Sequence, residues 1–164
     1  MADKQELIAE LEDKFKGMSK KLKLKHSLED FDRIFFVRDF ILQHGFVSES
    51  LSRMFCSRIV SLYESWANYL QGILMPNPSS LIHMYGSNAF SKQEKAGIAS
   101  LINDMMALVS RNSLIGLTKD RKAEARFLDD AVVLWDTFFK EKLIEIEKKA
   151  NVFWVDKSKN ERVN

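Results

Sequence analysis

Apolar residues recur at helical spacing along most of the chain, and this periodicity constrains the fold more than any other feature. In the first segment, residues 3–24, Ile8, Leu11, Phe15, Met18 and Leu22 follow one another in steps of three or four residues, which places them on one stripe of a helix. No long stretch alternates with period two, and no Asn-Gly or Asp-Gly hairpin signal occurs. The pattern therefore predicts an all-α protein.

Four further segments also have apolar residues at helical spacing and are predicted to be helices. Ser27 begins a second helix that Gly45 ends, and Ser91 with Glu94 forms a capping box at the start of the fourth. Gly116 marks a break at 112–117, and the loop at 75–90 has room for one short helical turn near Leu81. The helices are expected at about 27–44, 48–74, 91–111 and 118–154. We expect an antiparallel, up-and-down bundle of four to five helices, with a single domain at 1–155 and a flexible C-terminal tail at 156–164.

Composition excludes several fold classes and kinds of partner. The six glycines and two prolines are too few for a sandwich, a barrel or a Gly-rich nucleotide-binding fold, and 25 basic against 23 acidic residues leave a net charge of only +2. That balance does not favour nucleic-acid binding by bulk attraction. The N-terminus is charged from Asp3, and no run of about 18 apolar residues occurs. We expect a soluble, cytoplasmic protein without a membrane partner.

No catalytic or metal-binding constellation is evident, and no cofactor is predicted. A lone Cys56 excludes an internal disulfide and a cysteine-based zinc site. The di-iron pattern requires a Glu three residues before a His, but Lys23, Ile41 and Ser80 occupy those positions. Carboxylates on two helices are candidate Mg²⁺ ligands, but we expect them to form a solvated face instead: Glu10 and Asp13 on the first, Glu124, Asp129, Asp130 and Asp136 on the last.

Arg38 and Asp39 interrupt an otherwise apolar segment. Burying either charge without a partner is costly, so this polar pair in a buried helix predicts an ion pair, either mutual or across the bundle. The alternative is a polar site that faces a groove, with His44 at the end of the same helix.

The fragment Arg111-Asn-Ser-Leu-Ile-Gly116 resembles the Arg-Asn-x-x-x-His signature of HEPN domains, and Ile59 to Trp66 is similar to an early helix of that family. The resemblance implies a small, commonly dimeric all-α bundle that acts as a ribonuclease or nucleotide-binding module. In active members the Arg and His act together on the RNA phosphodiester. Gly116 stands in the His position here, so the resemblance implies a degenerate, RNA-associated domain. Its candidate RNA-binding residues are Arg111, Asn112, Lys20, Lys21, Lys23 and Lys25.

The leading hypothesis is a non-enzymatic helical protein-interaction module that self-associates. The last predicted helix carries two adjacent apolar stripes, and the aromatic residues Phe36, Phe46, Phe90 and Trp154 lie near segment ends. So much apolar surface favours coverage by a protein partner or a second copy of the chain. The HEPN-like, nucleic-acid-associated domain is the alternative.

Overall fold

The computed structural model describes residues 4–162, and this part of the chain contains no strand and is mainly helical, with helix making up 85% of the structure. The all-α prediction is confirmed. Its elements are α1 (Lys4–Leu22), α2 (Leu28–Phe35), α3 (Val37–His44), α4 (Leu51–Leu74), α5 (Leu81–Asn88), α6 (Lys92–Thr118), α7 (Arg121–Leu134), a π-helical segment (Trp135–Phe139) and α8 (Lys140–Arg162).

The number of helices differs from the predicted four to five. With α7, the π-helical segment and α8 counted as one continuous helix, the described residues form seven. The predicted second helix is divided into α2 and α3, and the predicted turn near Leu81 is the short helix α5. The predicted capping box of Ser91 with Glu94 is present, and the predicted helix start at Ser27 is a capping box with Asp30.

The division between α2 and α3 occurs at Phe36, whose φ of 53° is left-handed. That conformation costs a residue with a side chain roughly 1–2 kcal/mol. Two neighbours stabilise it. Asp32 accepts the Arg38 backbone N–H at 2.8 Å through its carboxylate, and the Arg58 Nε donates to the Phe35 carbonyl at 2.6 Å. These contacts satisfy backbone groups that the interruption would otherwise leave without partners.

Helix α4 lies at the centre of the core and packs most extensively against α6, with α7 beside them. Its residues Phe55, Ile59, Tyr63 and Leu70 are fully buried. The Phe55 ring stands 5.8 Å from Phe15 of α1, measured between centroids. Aromatic contacts of this kind join the N-terminal helices to α4.

The predicted break at 112–117 is wrong, because α6 continues to Thr118 and ends at Lys119, which has a φ of 54°. Leu108 and Ile115 are buried two helical turns apart. Their burial outweighs the low helix propensity of Asn112 and Gly116, which costs about 1 kcal/mol per residue at most.

The last helix is longer than predicted and changes its hydrogen-bonding pattern in the middle. Across the π-helical segment, the Lys140 N–H donates to the Trp135 carbonyl, five residues before it. Its apolar stripes are only partly buried. The buried members are Phe127, Leu128, Ala131, Val132, Phe139 and Leu143, whereas Leu134, Trp135, Phe138 and the stripe residues beyond Leu143 are half-buried. Residues 156–162 of the predicted tail are helical, while residues 1–3, 163 and 164 lie outside the described part. Tail flexibility and the domain boundaries therefore stay predictions.

Candidate functional site

The structure separates the two members of the predicted polar pair. Arg38 forms ion pairs with Asp32 at 3.0 Å, Glu29 at 3.0 Å and Glu12 at 3.5 Å. The Asp32 hydrogen bond raises the pKa of the Arg38 guanidinium. Asp39 is exposed. Arg38 therefore links α1, α2 and α3 rather than pairing with its neighbour.

His44 lies at the exposed end of α3, among aromatic rings. Its ring is 4.0 Å from that of Phe40, centroid to centroid, and 6.3 Å from that of Phe46. Its Nδ1 is 2.8 Å from the Phe40 carbonyl oxygen. These contacts hold His44 against its own helix.

The HEPN-like fragment lies inside α6, not at a helix boundary. Arg111 forms an ion pair with Asp130 at 2.7 Å and stands over the Phe127 ring at 5.7 Å. The Oδ1 of Asn112 is buried and has no hydrogen-bond partner among the described residues. A Cβ at Gly116 would meet the Arg53 guanidinium at 3.2 Å. Arg111 is therefore engaged with α7, and a cation occupies the space beside Gly116.

The four candidate lysines surround the turn between α1 and α2, and all four side chains are exposed. Lys23 has a left-handed φ of 55°. Asp129 of α7 holds this turn, accepting the Lys25 N–H at 3.0 Å and contacting the His26 Nδ1 at 2.9 Å. Since Asp130 pairs with Arg111, adjacent residues of α7 contact both parts of the predicted RNA-binding set.

Three acidic residues of the last helix are engaged individually by residues of different elements. Besides Asp129 and Asp130, Asp136 binds Arg33 at 2.7 Å, and this hydrogen bond lowers the pKa of Asp136. Within the described residues, no group of His, Cys, Asp or Glu is arranged to hold a metal ion.

A buried carboxylate, Glu124, lies at the start of α7 and is 3% exposed. Arg121 reaches it at 3.1 Å and Arg53 at 3.5 Å. Burial, and then the charge of Glu124, raise the pKa of the nearby Cys56 thiol to about 12. A thiol that is enclosed and has so high a pKa is a poor nucleophile, because little of it is present as the thiolate.

Exposed apolar side chains concentrate on α5 and the loop before it. Ile82 and Leu81 are both 71% exposed. The opposite face of α5 has Gly86 against the Trp154 ring and a buried Ser87. The helix thus carries its large apolar residues outward and its small ones inward, the reverse of an ordinary surface helix. We define the α5 patch as Met75, Leu81, Ile82, Met84 and Tyr85, each at least 39% exposed.

Comparison of the chain with protein-family models, curated proteins and solved structures finds no match. Its function is therefore inferred from the geometry of the described residues. Within residues 4–162, no helix combines the length and apolar character needed to span a bilayer.

Sequence periodicity did not single out the α5 patch. Of the four aromatic residues expected at the surface, Phe36 and Phe46 are about half exposed, whereas Phe90 is buried and Trp154 is half-buried against α5. One signal was present in the sequence: Leu81, Ile82, Met84 and Tyr85 crowd a short segment that contains no large polar residue except His83.

Proposed function

We propose that the chain is a non-enzymatic, cytoplasmic interaction module that self-associates through the α5 patch. The inverted polarity of α5 carries this proposal, because contiguous exposed apolar surface of this kind is typical of protein interfaces. In this proposal the long helices α1, α4, α6 and α7–α8 form an antiparallel, up-and-down frame that presents the patch.

A second copy of the chain is the proposed occupant for two reasons. The net charge of +2 leaves little overall repulsion between copies. Along α8, which packs against α5, Val152 and Val155 are also exposed. They offer further apolar area to an interface, and a stable interface buries roughly 800 Å² per partner. A two-fold axis through this surface would place each α5 patch against its counterpart.

The absence of an enzymatic role is part of the same proposal. The Cys56 thiol is enclosed and its pKa is raised. Asp130 and Asp136 are each paired with an arginine, and Asp129 holds the turn between α1 and α2. These groups contribute to stability in their present arrangement and are poorly placed to act on a substrate.

The test is the mass of the purified chain, measured by multi-angle light scattering from low to high micromolar concentration. We expect the mass to rise from one to two copies of 19.0 kDa. A constant monomer mass across the whole range would overturn self-association.

An RNA-associated function is the second candidate. It is favoured by the four exposed lysines at the α1–α2 turn, which share α7 as a neighbour with Arg111. Binding through phosphate contacts weakens steeply as salt rises. Fluorescence anisotropy with single-stranded RNA at low salt tests it. Unchanged affinity after joint replacement of Lys20, Lys21 and Lys23 by glutamine, or after Arg111→Ala, would refute it.

A further inference from the structure

An open groove of about 460 Å³ runs between α4 and α8, and it shares no residue with the α5 patch. Trp66 of α4 and Trp135 of the π-helical segment line it, together with Glu147 of α8. A second opening of about 420 Å³ begins on the other side of Trp66, where Tyr69 and again Glu147 line it. Trp66 and Glu147 therefore stand at the junction of the two openings.

Aromatic rings form the walls of this junction. Trp66 and Tyr69, three residues apart on α4, place their rings 5.9 Å apart at an angle of 80°. The two rings meet edge to face, and a ring face that stays open to solvent can attract an alkylated ammonium group by cation–π interaction. Both side chains remain accessible to solvent, Trp66 partly and Tyr69 at 43% exposure.

The π-helical segment positions the third ring. Its first residue, Trp135, packs edge-on against the buried Tyr63 ring with centroids 6.2 Å apart. The Tyr63 hydroxyl donates to the Ala131 carbonyl at 3.3 Å, about one helical turn before the segment begins. Single π-helical turns inside α-helices are frequent at functional sites, and here the turn sets the direction of a groove-lining tryptophan.

The Glu147 carboxylate is not fully paired inside the protein. Its Oε1 is buried and has no hydrogen-bond partner among the described residues. Burial, and then a hydrogen bond to the Glu147 carboxylate, raise the pKa of Tyr69 to about 12. Because Glu147 lines both openings, its carboxylate would attract a cationic group by charge rather than by a hydrogen bond.

Two lysines also line the groove, Lys140 and Lys148, and both are exposed. They disfavour a ligand that is only cationic, because like charges repel. A ligand that carries an anionic group beside its ammonium group turns the same lysines into favourable contacts.

We propose that this groove binds a phosphocholine group, with the trimethylammonium end against Trp66, Tyr69 and Glu147 and the phosphate towards Lys140 and Lys148. The chemistry is the same whether the group is free or forms the headgroup of a lipid. The proposal is independent of self-association, since the two surfaces have no residue in common.

Isothermal titration calorimetry of the full chain with phosphocholine tests the proposal, with choline and inorganic phosphate as separate titrants. We expect saturable binding of phosphocholine, at least tenfold weaker binding of choline and weaker binding still of phosphate. Glu147→Gln keeps the shape of the side chain and is expected to weaken phosphocholine binding at least tenfold. The matched control is Glu145→Gln, two residues away on α8 and lining a different groove, which is expected to leave the affinity unchanged.

Flotation with phosphatidylcholine vesicles distinguishes the two sources. Flotation that Glu147→Gln abolishes supports a lipid headgroup, and calorimetric binding without flotation supports the free ligand. No binding in either experiment, or equal losses in the Glu147 and Glu145 variants, would overturn the proposal. Circular dichroism of each variant shows whether a loss of binding comes from unfolding.

Discussion

Replacing Leu81 and Ile82 together by glutamate places two charges at the centre of the α5 patch. Both side chains are 71% exposed in the single chain. Full burial of such a side chain contributes about 1.5–3 kcal/mol, so covering the exposed part in a dimer contributes roughly 1–2 kcal/mol for each. A two-fold dimer covers both side chains in each protomer, four in all, so their burial contributes roughly 4–8 kcal/mol. Losing it should raise the dimer Kd by about a thousandfold or more.

The same double substitution should leave the monomer intact. Exposed positions that form no buried contact change the free energy of unfolding by about 0.5 kcal/mol or less. Sedimentation equilibrium measures the Kd, and urea denaturation measures the stability of the monomer. The expected result is a monomer at all accessible concentrations with an unfolding transition close to that of the unmodified chain under monomeric conditions.

A matched control uses two other exposed leucines. Leu114 and Leu117 of α6 are 61% and 83% exposed, and their joint replacement by glutamate adds the same charge away from α5. We expect the Kd to change by less than tenfold. If the α6 pair abolishes the dimer and the α5 pair does not, the interface lies elsewhere and the argument from the inverted polarity of α5 is wrong.

Three further predictions concern the core and the helix termini. Cys56, with a pKa of about 12, should react with a thiol reagent at pH 8 only as fast as the protein unfolds; immediate reaction in the native state would contradict its burial. Tyr63→Phe should lower the unfolding free energy by about 0.5–1.5 kcal/mol in urea titrations through loss of the bond to Ala131; no change would show that this bond is not stabilising. Lys149 and Ser91 lower the pKa of Glu94 from 4.5 to about 2, so its stabilising effect is present above pH 4.5 and lost towards pH 2. Glu94→Gln should therefore reduce the change in unfolding free energy between pH 4.5 and pH 2. A variant whose stability–pH curve matches that of the unmodified chain would show that Glu94 does not stabilise the fold through these contacts.

The elements themselves were largely predictable from local pattern. Apolar residues at helical spacing predicted α1, α4, α6 and the last helix, and the side chains of Ser27 and Ser91 marked two helix starts that the structure retains. Each of these signals acts over three or four residues, the range across which a helix forms its own hydrogen bonds. Local interactions alone were therefore enough to predict these helices and the two helix starts.

The errors lie where distant residues act. Phe36 has no glycine or proline beside it, and the interruption of the helix there is stabilised by Arg58, which lies 23 positions after Phe35 and donates to the Phe35 carbonyl. Gly116 was expected to break a helix that burial of Ile115 keeps continuous. The π-helical turn at Trp135 has no marker in the sequence that we recognise.

The candidate sites depend even more on tertiary structure. The sequence indicates that Arg38 is a charge that needs a partner, but its partners on α1 and α2 are visible only in the fold. The junction of Trp66, Tyr69 and Glu147 joins residues nearly 80 positions apart. Sequence by itself determined that this chain is helical, because helices are built from neighbours. Tertiary structure decided which apolar residues remained uncovered and which charges met, because those outcomes depend on how separate helices pack.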